Sequence, residues 1–149
     1  MIQRINNPLD IVFFLQENKD KFNDFYLTQE KSRRFLNEKS VALKAIKKYQ
    51  VFGSFSSELD GLFIIIDEKG FRRYLKILVK NNKIVDDLLK FINWNFAEKD
   101  LYIKIKKDSN MLDMLKKNYY QIIGDRGREF LLVHNKRDIR KLIPKDLGD

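Results

Sequence analysis

The sequence predicts a mixed α/β (α+β) fold in one domain, residues 1–149, because two hydrophobic periodicities alternate along the chain. Runs with the period of two typical of strands fill the middle and the end, and helical stripes fill the beginning and one gap between strands. With 44% hydrophobic residues and 12 Phe, 149 residues can form a substantial core. We expect about six to seven strands with an antiparallel N-terminal meander, a parallel crossover pair at the centre of the sheet, and about four helices.

The first part of the chain predicts a short strand followed by helices. Asn7 is a candidate N-cap, Pro8 suits the first helical position and Asp10 complements the helix dipole. A second, strongly basic helical segment is predicted from about Thr28 to Tyr49, with its Lys and Arg residues toward solvent.

The middle of the chain predicts an antiparallel meander. Three strand-like runs, "YQVFGSFSS", "GLFIIID" and "FRRYLKILV", are separated by the turn signals "ELDG" and "DEKG". The acidic residues between them are expected to be solvated turn residues: Glu58, Asp60, Asp67 and Glu68.

A crossover is predicted after the meander. The apolar residues of "NNKIVDDLLKFINWNF" form one helical stripe, whereas "LYIKIKK" alternates with the period of a strand. A helix between two strands implies that the strands ending at Val79 and Lys106 are parallel. Trp94 and Phe96, near the end of this helix, are expected to complete the core.

The final part predicts a short helix and a hairpin. "DSNMLDMLKKN" is a helix that Asp108 or Ser109 can cap, and "YQIIGDRGREFLLVH" turns between Gly124 and Gly127. His134 is expected at the surface or at a strand end, and residues 136–149 are expected to form a peripheral tail.

Composition limits the classes of partner. The net charge of +9 and pI near 9.6 favour anionic partners, but the basic runs lack interleaved aromatic residues, which makes nucleic acid a weak prediction. Without Cys and with one His, no metal site is predicted. The chain has neither a signal-peptide pattern nor an apolar run long enough to cross a membrane, so a cytoplasmic location is expected.

The order of these elements resembles the GNAT (general N-acetyltransferase) superfamily. The likeness covers nearly the whole chain and is best from Gly61 to His134, where "LYIKIKKDSN…MLKKNYYQIIGDRGREFLLV" is similar to the closing strand, helix and hairpin of that family. The resemblance implies transfer of an acyl group from acetyl-CoA or another acyl-CoA to an amine. It places the cofactor between the fourth and fifth strands, with the amine approaching from the opposite side.

The resemblance also assigns a cofactor site to the end of the fourth strand and the loop after it. The family pattern falls on "KNNKIV", where Lys80 keeps the basic first residue, and Lys83 and Val85 replace the small residues. Asp86 and Asp87 follow, and we expect their carboxylates to repel phosphates. The candidate cofactor-binding residues are Ile77, Leu78, Val79, Lys80, Asn81, Asn82, Lys83, Ile84 and Val85.

The catalytic pattern of the family is altered. The position of its usual Tyr acid falls on Leu115, so Tyr119 and Tyr120 are the candidates to replace it, with core or rim packing as the alternative reading. The run "FRRYLKILVK" offers no carboxylate as a general base.

Three functions therefore remain open. The first is a divergent GNAT-like acyltransferase. The second is a non-catalytic GNAT-fold binding or structural protein with protein partners, similar to internal virion proteins of short-tailed bacteriophages and then virion-associated. In that case Lys83, Val85 or Tyr119 is expected to fill the groove beside Ile77–Lys80. The third is a basic nucleic-acid-associated protein.

Overall fold

Seven strands form one mixed sheet in the part of the chain that the structure, a computed structural model, describes: residues 1–18, 39–80, 82–96 and 98–134. The order across the sheet is β1-β2-β3-β4-β5-β7-β6. The strands are β1 (Ile2–Arg4), β2 (Gln50–Phe55), β3 (Leu59–Ile66), β4 (Tyr74–Val79), β5 (Leu101–Lys106), β6 (Tyr120–Arg126) and β7 (Glu129–His134). Positions 28–38 of the predicted basic helix and the predicted tail, 136–149, lie outside the described residues.

Four α-helices lie in the described ranges: α1 (Pro8–Glu17), α2 (Lys39–Lys48), α3 (Val85–Phe96) and α4 (Leu112–Lys117). A 3₁₀ turn, Asn82–Ile84, precedes α3. The predicted start of α1 is confirmed, because the Asn7 side chain accepts a hydrogen bond from the Leu9 N–H at 3.0 Å. No described helix has the length and apolarity to cross a membrane.

The pairing confirms the predicted topology. Strands β1 to β4 are antiparallel to their neighbours, β4 and β5 are parallel, and β7 lies between β5 and β6, antiparallel to both. The parallel pair follows from the crossover through α3, because a strand that returns after a helix runs in the same direction.

The register sorts side chains onto two faces of the sheet. Phe52 and Phe63 stack with ring centroids 5.2 Å apart and lie against Phe91 and Phe96 of α3, which defines the α3 face. The opposite face is also buried through β2 to β4, at Val51, Leu62, Ile64 and Leu78. The core therefore occupies both sides of the meander.

The prediction that Trp94 completes the core is wrong. The buried stripe of α3 ends at Ile92, and residues two positions apart on a helix point in different directions. Trp94 accordingly has 89% of its surface exposed. Phe96 does pack as predicted, 5.5 Å from the ring of Phe52.

His134 was predicted at the surface or at a strand end. It lies at the end of β7 but is not at the surface. The side chain is fully buried, and its ring lies 5.0 Å from that of Tyr120. The reason is topological, because β7 is an inner strand with partners on both sides.

Two local predictions near the end of the chain need correction. The hairpin turns at Gly127, whose φ of 76° suits glycine, whereas Gly124 belongs to β6 at an irregularity of the register. Helix α4 begins at Leu112 with Met111 as its N-cap, and no side chain caps it. Ser109 instead accepts a hydrogen bond from the Met111 N–H at 3.1 Å, in the turn before the helix.

The acids between the meander strands are not all free turn residues. Glu68 accepts a hydrogen bond from the Tyr49 hydroxyl at 2.7 Å and pairs with Lys48 at 3.2 Å. These hydrogen bonds, first that from Tyr49 and then that from Lys48, lower the pKa of Glu68. Asp60 lies inside β3, although the sequence suggested a turn.

Candidate functional site

Strands β4 and β5 meet at a single point of their register. Tyr74 lies opposite Tyr102, and the Tyr102 N–H donates to the Arg73 carbonyl oxygen at 2.9 Å. Beyond this point β4 keeps its pairing with β3, and β5 keeps its pairing with β7. The two strands therefore separate toward their carboxyl ends. We call the opening between Leu75–Val79 and Ile103–Lys106 the splay, and its free strand edges can pair with an extended ligand.

Arg73 holds the closed end of the splay. Its side chain is 6% exposed, and the guanidinium donates to Glu98 Oε1 at 2.9 Å, to the Lys99 carbonyl oxygen at 2.8 Å and to the Phe96 carbonyl oxygen. A buried arginine thus ties the end of α3 to the residue before β4. Because the Arg73 carbonyl also accepts the Tyr102 N–H, the crossover and the meeting point of β4 and β5 are fastened together.

One side of the splay is closed. Alternation along β4 and β5 puts four fully buried side chains on the α3 face: Ile77, Val79, Ile103 and Ile105. On the same face, Phe91 and Phe96 of α3 pack against Phe63 of β3, which lies opposite Ile77 in register. A ligand in the splay would therefore meet its reaction partner from the opposite face.

On that opposite face, cations and aromatic rings alternate. Arg72 lies 4.7 Å from the ring centroid of Tyr102, Lys104 Nζ lies 5.0 Å from that of Tyr74, and the two rings are 6.0 Å apart. Burial, and then the nearby Lys104 charge, lower the pKa of Lys76. We call Arg72, Tyr74, Lys76, Tyr102 and Lys104 the basic-aromatic face.

The basic residue of the predicted cofactor pattern already has partners. Lys80 Nζ lies 2.5 Å from Glu58 Oε1 and 3.9 Å from Asp60 Oδ1. The backbone N–H of Lys80 donates to the Asp60 carbonyl oxygen at 3.0 Å. Two carboxylates of the β2–β3 hairpin therefore balance the positive charge of Lys80 at the open end of β4. Glu58 was predicted to be a free turn residue, and this ion pair corrects that.

The N-terminus of α3 is also occupied by protein groups. Asp86 Oδ1 accepts from Asn118 Nδ2 at 3.0 Å, and Asp86 Oδ2 pairs with Lys90 at 2.7 Å. These hydrogen bonds, from Asn118 first and Lys90 second, lower the pKa of Asp86. The negative charge that a helix N-terminus favours is thus supplied by the chain itself.

The loop candidates are divided between solvent and core. Asn82 and Lys83 are exposed, Val85 is buried, and Asn81 lies outside the described residues. Ile84 packs over Gly61, where a Cβ would lie 2.6 Å from Ile84 Cδ1. The strand candidates Ile77, Leu78 and Val79 have buried side chains, so they could offer a ligand only backbone groups.

The two catalytic candidates have different surroundings. Tyr119, at φ 71°, is 45% exposed, whereas Tyr120 is buried with its hydroxyl 3.4 Å from Asn93 Oδ1. Burial strongly raises the pKa of Tyr120. By register Tyr120 is level with Leu101, at the closed end of β5, and Leu115 at the family's acid position is fully buried.

A cavity of about 280 Å³ lies between α1 and the β2–β3 hairpin. Its walls include Phe13, Phe55 and the carboxylates of Asp10, Glu17 and Glu58. Because Glu58 also holds Lys80, this cavity borders the end of β4. Among the described residues, no group of three or more His, Cys, Asp or Glu is placed to hold a metal ion.

Solved structures of N-acetyltransferases match the chain over nearly its whole length. The N-acetyltransferase of Staphylococcus aureus Mu50 has a TM-score of 0.69 at 14% identity, covering 91% of this chain and 96% of that one. Campylobacter jejuni PseH in complex with acetyl coenzyme A has a TM-score of 0.62 at 16% identity, covering 91% and 99%. Aminoglycoside acetyltransferase AAC(6')-Ib with coenzyme A and kanamycin has a TM-score of 0.63 at 9% identity, covering 95% and 97%.

This chain has the GNAT fold. It is a divergent member of that fold, and the predicted mixed sheet with its parallel crossover pair is confirmed. No protein-family model matches the sequence. No curated protein matches it either. At such low identities the likeness to these solved GNAT structures shows the fold alone.

Sequence reasoning missed Arg73 and the basic-aromatic face. The period of two in "YLKILV" puts Tyr74 and Lys76 on one side of β4, and that in "LYIKIK" puts Tyr102 and Lys104 on one side of β5. The register that pairs Tyr74 with Tyr102 is what places these four residues on one face, and the sequence alone does not give that register. Arg73 gave no signal, because its partners on α3 and after it are more than twenty positions away in the chain.

Proposed function

We propose that this chain is a divergent GNAT-like acyltransferase that transfers an acyl group from acetyl-CoA or another acyl-CoA to an amine. The observation that carries the proposal is the splay, a strand opening closed at Tyr74 and Tyr102, with the packed α3 face on one side and the half-buried basic-aromatic face on the other. Two solved proteins with this fold are complexes with acetyl coenzyme A or coenzyme A.

In this proposal the arm of the cofactor lies along the free edge of β4, from Ile77 to Val79, and its phosphates lie near the loop and helix start from Lys80 to Val85. The strand edge suits an extended chain with amide groups, since backbone N–H and C=O groups can pair with them. The helix start suits phosphate less well, because Asp86 already occupies it and Lys80 is neutralised. Most of the affinity therefore comes from the strand edge, with Asn82 and Lys83 as the polar contacts.

Acyl-CoA would supply a thioester. The amine nitrogen bonds to its carbonyl carbon, the C–S bond breaks, the nitrogen loses one proton, and the thiolate gains one. Tyr119 is the better candidate to donate that proton, because Tyr120 is buried in the core. Strands β4 and β5 carry no carboxylate, so the acceptor reaches the thioester as a free amine or loses its proton to water.

Specific observations also favour the second candidate, a non-catalytic GNAT-fold binding or structural protein. Leu115 is buried at the family's acid position, and Asp86 is bound to Asn118 at the helix start. Ile84 packs over Gly61, beside the proposed phosphate loop. A bacteriophage origin and protein partners belong to this alternative. No observation in the described residues singles out nucleic acid.

Isothermal titration of the purified chain with acetyl-CoA tests the proposal, with desulfo-CoA and ADP as comparisons, each at low and moderate salt. The proposal predicts saturable binding of acetyl-CoA and desulfo-CoA that persists at moderate salt, and weaker binding of ADP, which lacks the arm. No heat above dilution, or heat that salt abolishes for all three compounds, would overturn it and favour the non-catalytic alternative.

A further inference from the structure

All charged side chains on β4 and β5 are basic. Lys76 belongs to β4, and Lys104 and Lys106 belong to β5. The pairing of Tyr74 with Tyr102 and the alternation along both strands put these lysines on the face of the splay opposite α3. Whatever reaches the splay from that face passes between cations that come from both of its edges.

The surroundings strengthen this positive field. In register, Lys76 lies beside Ile64 of β3, and Lys104 lies beside Leu131 of β7, so apolar side chains flank both cations. Two acids lie on this face at the open end of the splay: Glu129 of β7 is directly opposite Lys106 in register, and Asp60 of β3 is near Lys80. The positive field is therefore centred on Lys76 and Lys104. Charges held close together in partly apolar surroundings interact more strongly than they do in water.

The rings add a second kind of contact. Tyr74 and Tyr102 are half-buried, and each already lies beside a cation. These contacts hold the exposed Arg72 side chain against the ring of Tyr102, and Lys104 against the ring of Tyr74, at the rim of the splay. An anionic group at this rim would therefore find its cations already oriented.

We infer that the acyl acceptor carries a carboxylate or phosphate close to its reactive amine, and that the basic-aromatic face binds this anion. The inference rests on the proposed function, because it names the acceptor class for the same splay. Like charges disfavour a polycationic acceptor at this face. An acidic amino acid and the amino terminus of an acidic peptide share the required chemistry.

The test is a fluorescence anisotropy titration with peptides that have a free amino terminus and a fluorophore at the carboxyl end. One peptide carries three glutamates, a second three glutamines and a third three lysines, and each is measured with and without coenzyme A. Moderate salt reduces the general attraction of a chain with net charge +9. Free glutamate as a competitor separates a small acceptor from a peptide.

We expect the glutamate peptide to bind about tenfold more tightly than the glutamine peptide, which corresponds to one or two close charge contacts. Lys104→Glu should abolish this preference, and Lys104→Met should weaken it. Lys116→Glu, the same charge change at an exposed position of α4, should leave the preference intact. Displacement of the peptide by free glutamate would assign the site to a small acidic amine, and persistence of the peptide would assign it to an acidic chain terminus.

Equal binding of the glutamate and glutamine peptides would overturn the inference, as would a preference that survives Lys104→Glu or disappears equally in Lys116→Glu. These results are distinguishable from failure of the proposed function, which the acetyl-CoA titration measures separately. A chain that binds acetyl-CoA without preferring acidic peptides would retain the function and lose the inference.

Discussion

At the scale of single residues, Arg73, just before β4, connects the end of the crossover with the point where β4 and β5 meet. Its guanidinium donates hydrogen bonds to three groups at the end of the crossover. Its carbonyl oxygen accepts a hydrogen bond from the Tyr102 N–H of β5. Nη1 and Nη2 make the bonds of the guanidinium, whereas the buried Nε has no hydrogen-bond partner among the described residues, so the buried guanidinium depends on this cluster for its stability.

Arg73→Ala should lower the free energy of unfolding by about 2–4 kcal/mol, because several charge-assisted hydrogen bonds are lost and carbonyl groups lose their donor. Arg72→Ala is the matched control, since Arg72 is exposed and its contact is one cation–π pair, so its loss should cost less than about 1 kcal/mol. Urea unfolding of both variants measures the difference. Equal effects would contradict the assigned role of Arg73.

Tyr120 predicts a pH dependence of stability. Its raised pKa means that the unfolded chain ionises first as pH rises, so the native state loses stability above about pH 10, by about 1.4 kcal/mol per unit. Tyr120→Phe should cost less than about 1 kcal/mol at neutral pH, because the hydroxyl bond is long, and it should reduce this alkaline loss. Urea titrations between about pH 8 and 11 test this. An unchanged alkaline slope would show that Tyr120 does not cause the loss.

Trp94, His134 and Arg73 show which residue-level features the sequence could not predict. An apolar residue at the end of a helix is not assigned to a face until the helix is docked, and Trp94 pointed to solvent. His134 is buried because β7 is inserted between two strands, a property of topology rather than of local pattern. The partners of Arg73 are distant in sequence, so its burial had no local sign.

At the scale of elements, the turn before α3 packs closely on β3 because residue 61 of that strand is a glycine. A Cβ at Gly61 would lie 2.6 Å from Ile84 Cδ1 and 2.8 Å from Val79 Cγ1. The close approach of Ile84 to the sheet therefore depends on the missing side chain, and it sets where the proposed phosphate loop leaves β4.

Gly61→Ala should reduce the free energy of unfolding by about 1–3 kcal/mol through overpacking. Ile84→Ala removes one of the clashing groups, so the double variant should be less destabilised than the sum of the two single variants. Urea unfolding of the four proteins in this cycle gives the coupling. Strict additivity would mean that Ile84 and Gly61 do not share this contact.

Asp86 predicts an effect on ligand affinity. Its carboxylate lies in the first turn of α3, so Asp86→Asn should raise the affinity for desulfo-CoA about two- to fivefold, because less negative charge faces the phosphates. Asp113→Asn, the same change in the first turn of α4, is the control and should have no effect. Isothermal titration measures both, and a lower affinity in Asp86→Asn would contradict phosphate binding near this helix.

Elements themselves were predictable where one periodicity ran without interruption. The stripe of α3 and the alternation of β5 gave the crossover, and the cap at Asn7 gave the start of α1. The final hairpin was less predictable, because either Gly124 or Gly127 could have formed its turn. Gly127 forms it, and Gly124 lies in β6 at an irregularity of the register. The candidate site followed from the resemblance, whereas its ion pairs depend on contacts across the sheet.

At the scale of the whole molecule, the sheet consists of two parts, β1–β4 and β5–β7, that meet at Tyr74 and Tyr102. Each part keeps its own antiparallel pairing, and the crossover through α3 connects them. The arrangement leaves an opening inside the sheet without a gap in the core beneath it. The buried side chains stabilise the fold, while the backbone groups at the edges of β4 and β5 can form hydrogen bonds with a ligand.

Amide hydrogen exchange with and without saturating desulfo-CoA tests whether the splay is the cofactor site, because it reports where along the chain a ligand is held. We expect slower exchange in residues 77–85 on ligand addition, and no change in β6 and β7, which lie away from the edge of β4. Unchanged exchange in residues 77–85, or protection confined to another part of the chain, would contradict the assignment of the splay as the cofactor site.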